Sequence, residues 1–118
     1  MSKRAPSAFV ADIKRAIRNI QAYAKDMDYP AFLEDRKTQD AVVRNLEIIG
    51  EASKNVPEAL RQRHPDVPWS DLAKVRDKLI HHYFGVNLEI VWGIATESLP
   101  LVLKNLQRAG RRRQAASS

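Results

Sequence analysis

The sequence predicts an all-α protein, a helical bundle of four main helices plus a short one. Three observations carry this. The 118 residues include only four glycines. The β-branched residues are scattered instead of alternating, and the apolar residues recur at intervals of three and four. Apolar residues make up 44% of the chain, as in ordinary globular domains, and the length suits one hydrophobic core. Residues 1–109 are read as that domain, and residues 110–118 as a basic, flexible C-terminal tail.

The first helix is expected from Ser7, as N-cap after Pro6, to about Ala24, with Phe9, Ile13, Ile17 and Ile20 on one buried stripe. Asp28-Tyr29-Pro30 reads as a break, because the residue before a proline avoids the α region. A longer helix follows from about Glu34 to Asn55, its inner face traced by Val42, Leu46, Ile49 and Ser53, with Val43 and Val56 alongside. Arg44, Glu47 and Glu51, spaced i, i+3, i+7, share another face of it. By spacing alone a solvated salt-bridge stripe is the simpler reading, and a polar wall facing a cleft is the other.

Pro57 suits the start of a short helix to about Arg63, and His64–Pro68 reads as a rigid connector in which His64 has no assigned role. The next helix is expected to open at Trp69, with Ser70 as N-cap and Asp71 near its positive end, and to run to Tyr83. Gly85 is placed to end it in the left-handed conformation. Asn87 should cap the last helix, whose stripe is Leu88, Val91, Ala95, Leu99, Val102 and Leu106. Pro100 inside that stripe has no N–H for the carbonyl of Thr96, so a kink or break is expected there.

Composition narrows the function. No apolar run reaches membrane-spanning length, the N-terminus has no signal-like apolar segment, and there is no cysteine, so a soluble, cytoplasmic protein without disulfides or thiolate metal sites is expected. The net charge of +6 owes half its size to Arg111, Arg112 and Arg113; without them 17 cations face 14 carboxylates. The body is therefore only mildly basic; the tail could steer toward RNA or another polyanion, but a solvated, frayed C-terminus is the simpler reading.

The densest chemistry lies between Val75 and Gly85, which holds Arg76, Asp77, His81, His82 and Tyr83, including two of the three histidines. Asp77 and His81, four residues apart, are helical neighbours, so Asp77 can orient His81 and raise its pKa. Arg76 shares a mostly apolar face with Leu72, Val75 and Leu79, where a buried guanidinium would need a partner. A histidine that titrates near neutrality can take a proton from a ribose 2′-hydroxyl or give one to a leaving oxygen. An arginine can stabilise the phosphorane formed in the same step. Arg76 and His81 diverge by about 140° on a helical wheel, so they meet only if the helix end distorts or a second subunit completes the cleft. No metal-ligand or cofactor constellation accompanies them.

The spacing R-x-x-x-x-H-x-Y, read as Arg76, His81 and Tyr83, resembles the signature of HepT-like toxins of the HEPN superfamily. TQDAVVRNLEIIGEASKNVP (Thr38–Pro57), VPWSDLAKVRDKLIHHYFGVNLEIVW (Val67–Trp92) and the following ESLP are similar to that family's most recognisable blocks, and the likeness extends over about Ser7 to Leu106. The resemblance implies a homodimeric HEPN bundle whose motifs meet near the dimer interface, with Arg76 and His81 cutting RNA without metal or other cofactor. It further implies an MNT-type nucleotidyltransferase antitoxin that adenylylates Tyr83, silencing the nuclease. Arg44, Asn45, Glu47 and Glu51 match positions that tend to line the region between helices in that family and are read as supporting residues. Asp77 stands where the family often has asparagine, and its supporting role rests on its spacing to His81. Two other readings stay open: a non-catalytic HEPN partner that binds a nucleotidyltransferase or nucleotide, and a purely structural dimerisation bundle.

Overall fold

Prolines set where several helices begin. A computed structural model describes residues 4–79 and 85–117, and over 109–117 the backbone alone. In it α1 spans Pro6–Tyr23, with Ala5 as N-cap and Pro6 in the first turn. The expected cap, Ser7, lies inside the helix instead, because a proline there loses no hydrogen bond that the first turn would make. Ile13, Ile17 and Ile20 are fully buried and Phe9 partly so.

Asp28-Tyr29-Pro30 is not a plain break. It opens a short helix, α2 (Tyr29–Leu33), in which the Asp28 carboxylate accepts from the Ala31 amide at 2.9 Å. The proline again falls in a first turn, where it favours a helix start. Next comes α3 (Arg36–Lys54), capped by Asp35, which accepts from the Thr38 amide at 3.0 Å and the Thr38 hydroxyl at 2.8 Å. Gln39 closes the α2–α3 junction by donating to the carbonyls of Phe32 at 2.9 Å and Leu33 at 3.1 Å. Val42, Leu46, Ile49 and Ser53 are completely buried, as the periodicity requires.

The Thr38 amide, and then its hydroxyl, hold the Asp35 carboxyl below the ordinary carboxylate range; Asp12 is lowered likewise, chiefly by its hydrogen bond from Arg4. A lowered folded-state pKa contributes stability above the unfolded value of about 3.9 and loses it as pH falls through the folded value. We expect the thermal midpoint to fall with acid below about pH 4. The acid limb should be shallower in Asp35→Asn, which keeps a capping oxygen but cannot titrate. Calorimetry across pH would show it, and identical limbs would reject a role for Asp35.

The short helix α4 (Glu58–Gln62) has Pro57 as its N-cap. Arg61 reaches back to donate to the carbonyls of Val56 at 2.9 Å and Ser53 at 2.8 Å, satisfying the C-terminal end of α3, while its guanidinium lies 5.9 Å from the Trp69 ring. Trp69 donates its indole N–H to the His64 carbonyl at 3.1 Å, pinning the connector.

The expected single helix from Trp69 is divided into α5 (Trp69–Ala73) and α6 (Val75–Leu79), with Lys74 between them. Ser70 sits within α5 and makes no capping bond. The residues on either side of the division, Leu72, Ala73 and Val75, lie against Gly50 of α3. The rest of the expected helix, Ile80 to Phe84, lies outside the described residues. Gly85 has φ +85°, the left-handed conformation expected of it, and the Asn87 amide bonds the Leu79 carbonyl at 2.9 Å.

Asn87 caps α7 (Leu88–Gly93), accepting from the Ile90 amide at 3.1 Å. A π-helical turn over Ile94–Ser98 then leads into α8 (Leu99–Ser117). The expected disturbance at Pro100 takes this form: the widened turn just before it absorbs the missing N–H and the ring's bulk. Val91, Ala95, Leu99, Val102 and Leu106 are buried along the inner face.

The four main helical runs are thus α1, α3, α5–α6 and α7–α8, packed about one core. The expected short helix is α4, and α2 is a further one. Among the described residues there is no strand, and no helix is long and apolar enough to cross a membrane.

Candidate functional site

A groove of about 200 Å³ opens between α3 and the α5–α6 segment. Its α3 wall carries Arg44, Glu47, Glu51 and Lys54, which share a face at i, i+3, i+7, i+10. Arg76 stands opposite on α6, and Gly50 and Ala73 add little or no side chain between the walls. Arg44, Glu51, Lys54 and Arg76 are exposed and Glu47 is half-buried. Among the described residues none of these five charged groups is within ion-pair distance of an opposite charge; the recorded pairs are Arg4–Asp12, Arg15–Asp12, Arg36–Asp40 and Lys78–Asp71.

That geometry decides between the two sequence readings of the α3 stripe. It lines a cleft, and among the described residues no salt-bridge ladder runs along it. It also corrects the expectation for Arg76. The guanidinium is not buried on an apolar face in search of a partner, because α6 turns Val75 and Leu79 into the core and leaves Arg76 at the groove. Three cations and two carboxylates face one space, able to hold an anionic group and hydrogen-bond donors side by side.

The structure brings Arg76 together with Arg44, Glu47 and Glu51. It does not bring Asn45 to them. Asn45 is buried, accepts from the Asn19 amide at 3.2 Å and donates to the Ala41 carbonyl at 2.9 Å, tying α1 to α3. Asp77 is exposed on α6 and is not among the groove's lining residues. His81, which Asp77 is expected to orient, and Tyr83 lie outside the described residues. Sequence reading missed Lys54, though it extends the Arg44–Glu47–Glu51 spacing by three residues. It also missed Gly50, whose place inside an otherwise regular helix signals a packing reason.

The all-α bundle is the architecture the HEPN resemblance implied. The chain belongs to the HepT-like ribonuclease family, whose model, described as "Ribonuclease HepT-like", matches residues 13–109. A protein named "Putative RNase MJ0127" from Methanocaldococcus jannaschii is 47% identical over 107 residues, 91% of this chain and 88% of its own. One from Thermococcus cleftensis, named "Probable ribonuclease HepT", is 46% identical over 98 residues, 83% of this chain and 89% of its own. No solved structure gives a significant match.

Proposed function

We propose that this chain is an endoribonuclease toxin that cuts RNA by metal-independent transesterification, with Arg76 and His81 as its catalytic residues. The observation that carries the reading is the placement of Arg76: exposed at a charged groove, with no ion pair among the described residues, in a family whose relatives bear ribonuclease names. The 2′-oxygen attacks the adjacent phosphorus as its proton leaves. The P–O5′ bond breaks, the 5′-oxygen takes up a proton, and the products are a 2′,3′-cyclic phosphate and a 5′-hydroxyl. His81 serves one of these proton transfers. Arg76 faces the charge that gathers on the non-bridging oxygens of the phosphorane. A second copy of the chain completes the cleft, bringing together groups that one regular helix would hold about 140° apart.

Silencing falls to a nucleotidyltransferase antitoxin that transfers AMP from ATP to the Tyr83 hydroxyl, releasing pyrophosphate. Tyr83 is two residues from His81, so the added phosphate would put negative charge where the substrate's own phosphate must approach. Purified unmodified protein should cut RNA with chelator present, and His81→Ala should not, while remaining folded by circular dichroism. Tyr83→Phe should keep most of the cleavage yet escape inactivation by the antitoxin and ATP. No cleavage by the unmodified protein, with Tyr83 free of AMP by mass spectrometry, would replace this reading by that of a non-catalytic partner.

A further inference from the structure

We propose that Gly50 is a positioning residue for Arg76, a role that rests on the ribonuclease reading above. Gly50 lies in the middle of α3, where glycine weakens a helix relative to alanine. The neighbouring α5–α6 segment supplies the reason for it. A β-carbon at this position would lie 3.2 Å from Val75 Cγ1 and 3.4 Å from the Leu72 carbonyl oxygen, with the Ala73 carbonyl oxygen at 3.9 Å. The first contact is tighter than a settled methyl–methyl contact, which prefers about 3.5–4.0 Å. The other two are ordinary van der Waals distances to backbone oxygens, so the Val75 contact is the one that must give. Val75 is 3% exposed, so its side chain has little free space to turn into.

These contacts fall on the residues that lead directly into Arg76. The height of Arg76 above the Arg44–Glu47–Glu51 wall is therefore set where α6 rests on the bare backbone of Gly50. A methyl group there would lift α6 by a few tenths of an ångström and carry the guanidinium with it. An arginine that stabilises a phosphorane depends on such placement, since a misplacement of about 1 Å can cost about 10²-fold in rate. Gly50 touches no reacting atom; it acts through Arg76.

The test uses the full chain and a mixed-sequence single-stranded RNA oligonucleotide, with thermal unfolding measured on every variant. Gly50→Ala should lower kcat by about fivefold to tenfold with KM within about twofold, as expected when a transition-state contact is displaced and ground-state binding is not. Val75→Ala alone should stay within about threefold of the parent, and in the Gly50→Ala background it should recover most of the loss by removing the Cγ1 contact. Should Gly50→Ala fail to fold, Val75→Ile presses on the same contact from the α6 side and should lower kcat in the same way. A folded Gly50→Ala with parental kcat, or a loss that Val75→Ala leaves untouched, overturns the proposal. If the parent itself cuts no RNA, the ribonuclease reading fails separately. A crystal structure of Gly50→Ala then decides the steric claim: an Arg76 Cα shifted away from α3 upholds it, and an unshifted one overturns it.

Discussion

Arg76→Ala is expected to lower RNA cleavage by about 10²–10³-fold, the usual cost of removing one group aimed at developing charge. The same change should leave the fold intact. Arg76 is exposed and has no ion pair among the described residues, so its removal opens no cavity and strands no buried charge. Surface substitutions of that kind usually stay within about ±0.5 kcal/mol. The combination discriminates, because a purely structural bundle would have no RNA cleavage to lose. Arg76→Lys should fall between, since the ammonium keeps the charge but loses the planar fork that matches two phosphate oxygens. Single-turnover cleavage beside urea unfolding reads both quantities. Parental cleavage by a folded Arg76→Ala would remove Arg76 from the mechanism.

What could be read from the chain follows a physical division. Features set by local chemistry were legible: the Ile13–Ile17–Ile20 and Val42–Leu46–Ile49–Ser53 stripes, the Asn87 cap, the left-handed Gly85 and the disturbance before Pro100. Features set by how helices approach one another were not. The pattern from Trp69 onward is continuous on a wheel, and nothing in it marks the division at Lys74, which lies opposite Gly50 of α3. The Arg44–Glu47–Glu51 face was visible as a stripe, but whether it looked into solvent or across a cleft depended on which side of α5–α6 docks. Asn45 shows the same limit. One residue along from Arg44 turns its side chain by about 100°, away from the groove and onto Asn19 of α1. Pro30 misled for a related reason: it reads as a break, yet the Asp28 cap places it in the first turn of a short helix.

The largest expected loss of stability comes from Phe32→Ala, at about 3–5 kcal/mol for truncating a fully buried aromatic. Phe32 is the only fully buried residue of α2, and the partly buried Tyr29 packs beside it, its ring centroid 6.2 Å from that of Trp92. The Phe32 ring packs with its centroid 5.0 Å from that of Trp92 on α7, and the Phe32 carbonyl accepts from Gln39 of α3 at 2.9 Å. Removing the ring therefore loses buried apolar area, an aromatic pair and the anchor that keeps the Gln39 bond in place. Against a typical total of about 5–15 kcal/mol, such a loss leaves the domain only marginally folded. Phe32→Leu, which refills much of the space, should cost less. Denaturant unfolding gives the difference directly, and a loss below about 1 kcal/mol would mean that α2 contributes little to the core. Phe32 is not among the groove's lining residues, so cleavage per folded molecule should stay within about twofold of the parent, against the 10²-fold or greater loss from Arg76→Ala. The two variants thus separate what holds the bundle together from what the bundle holds in place.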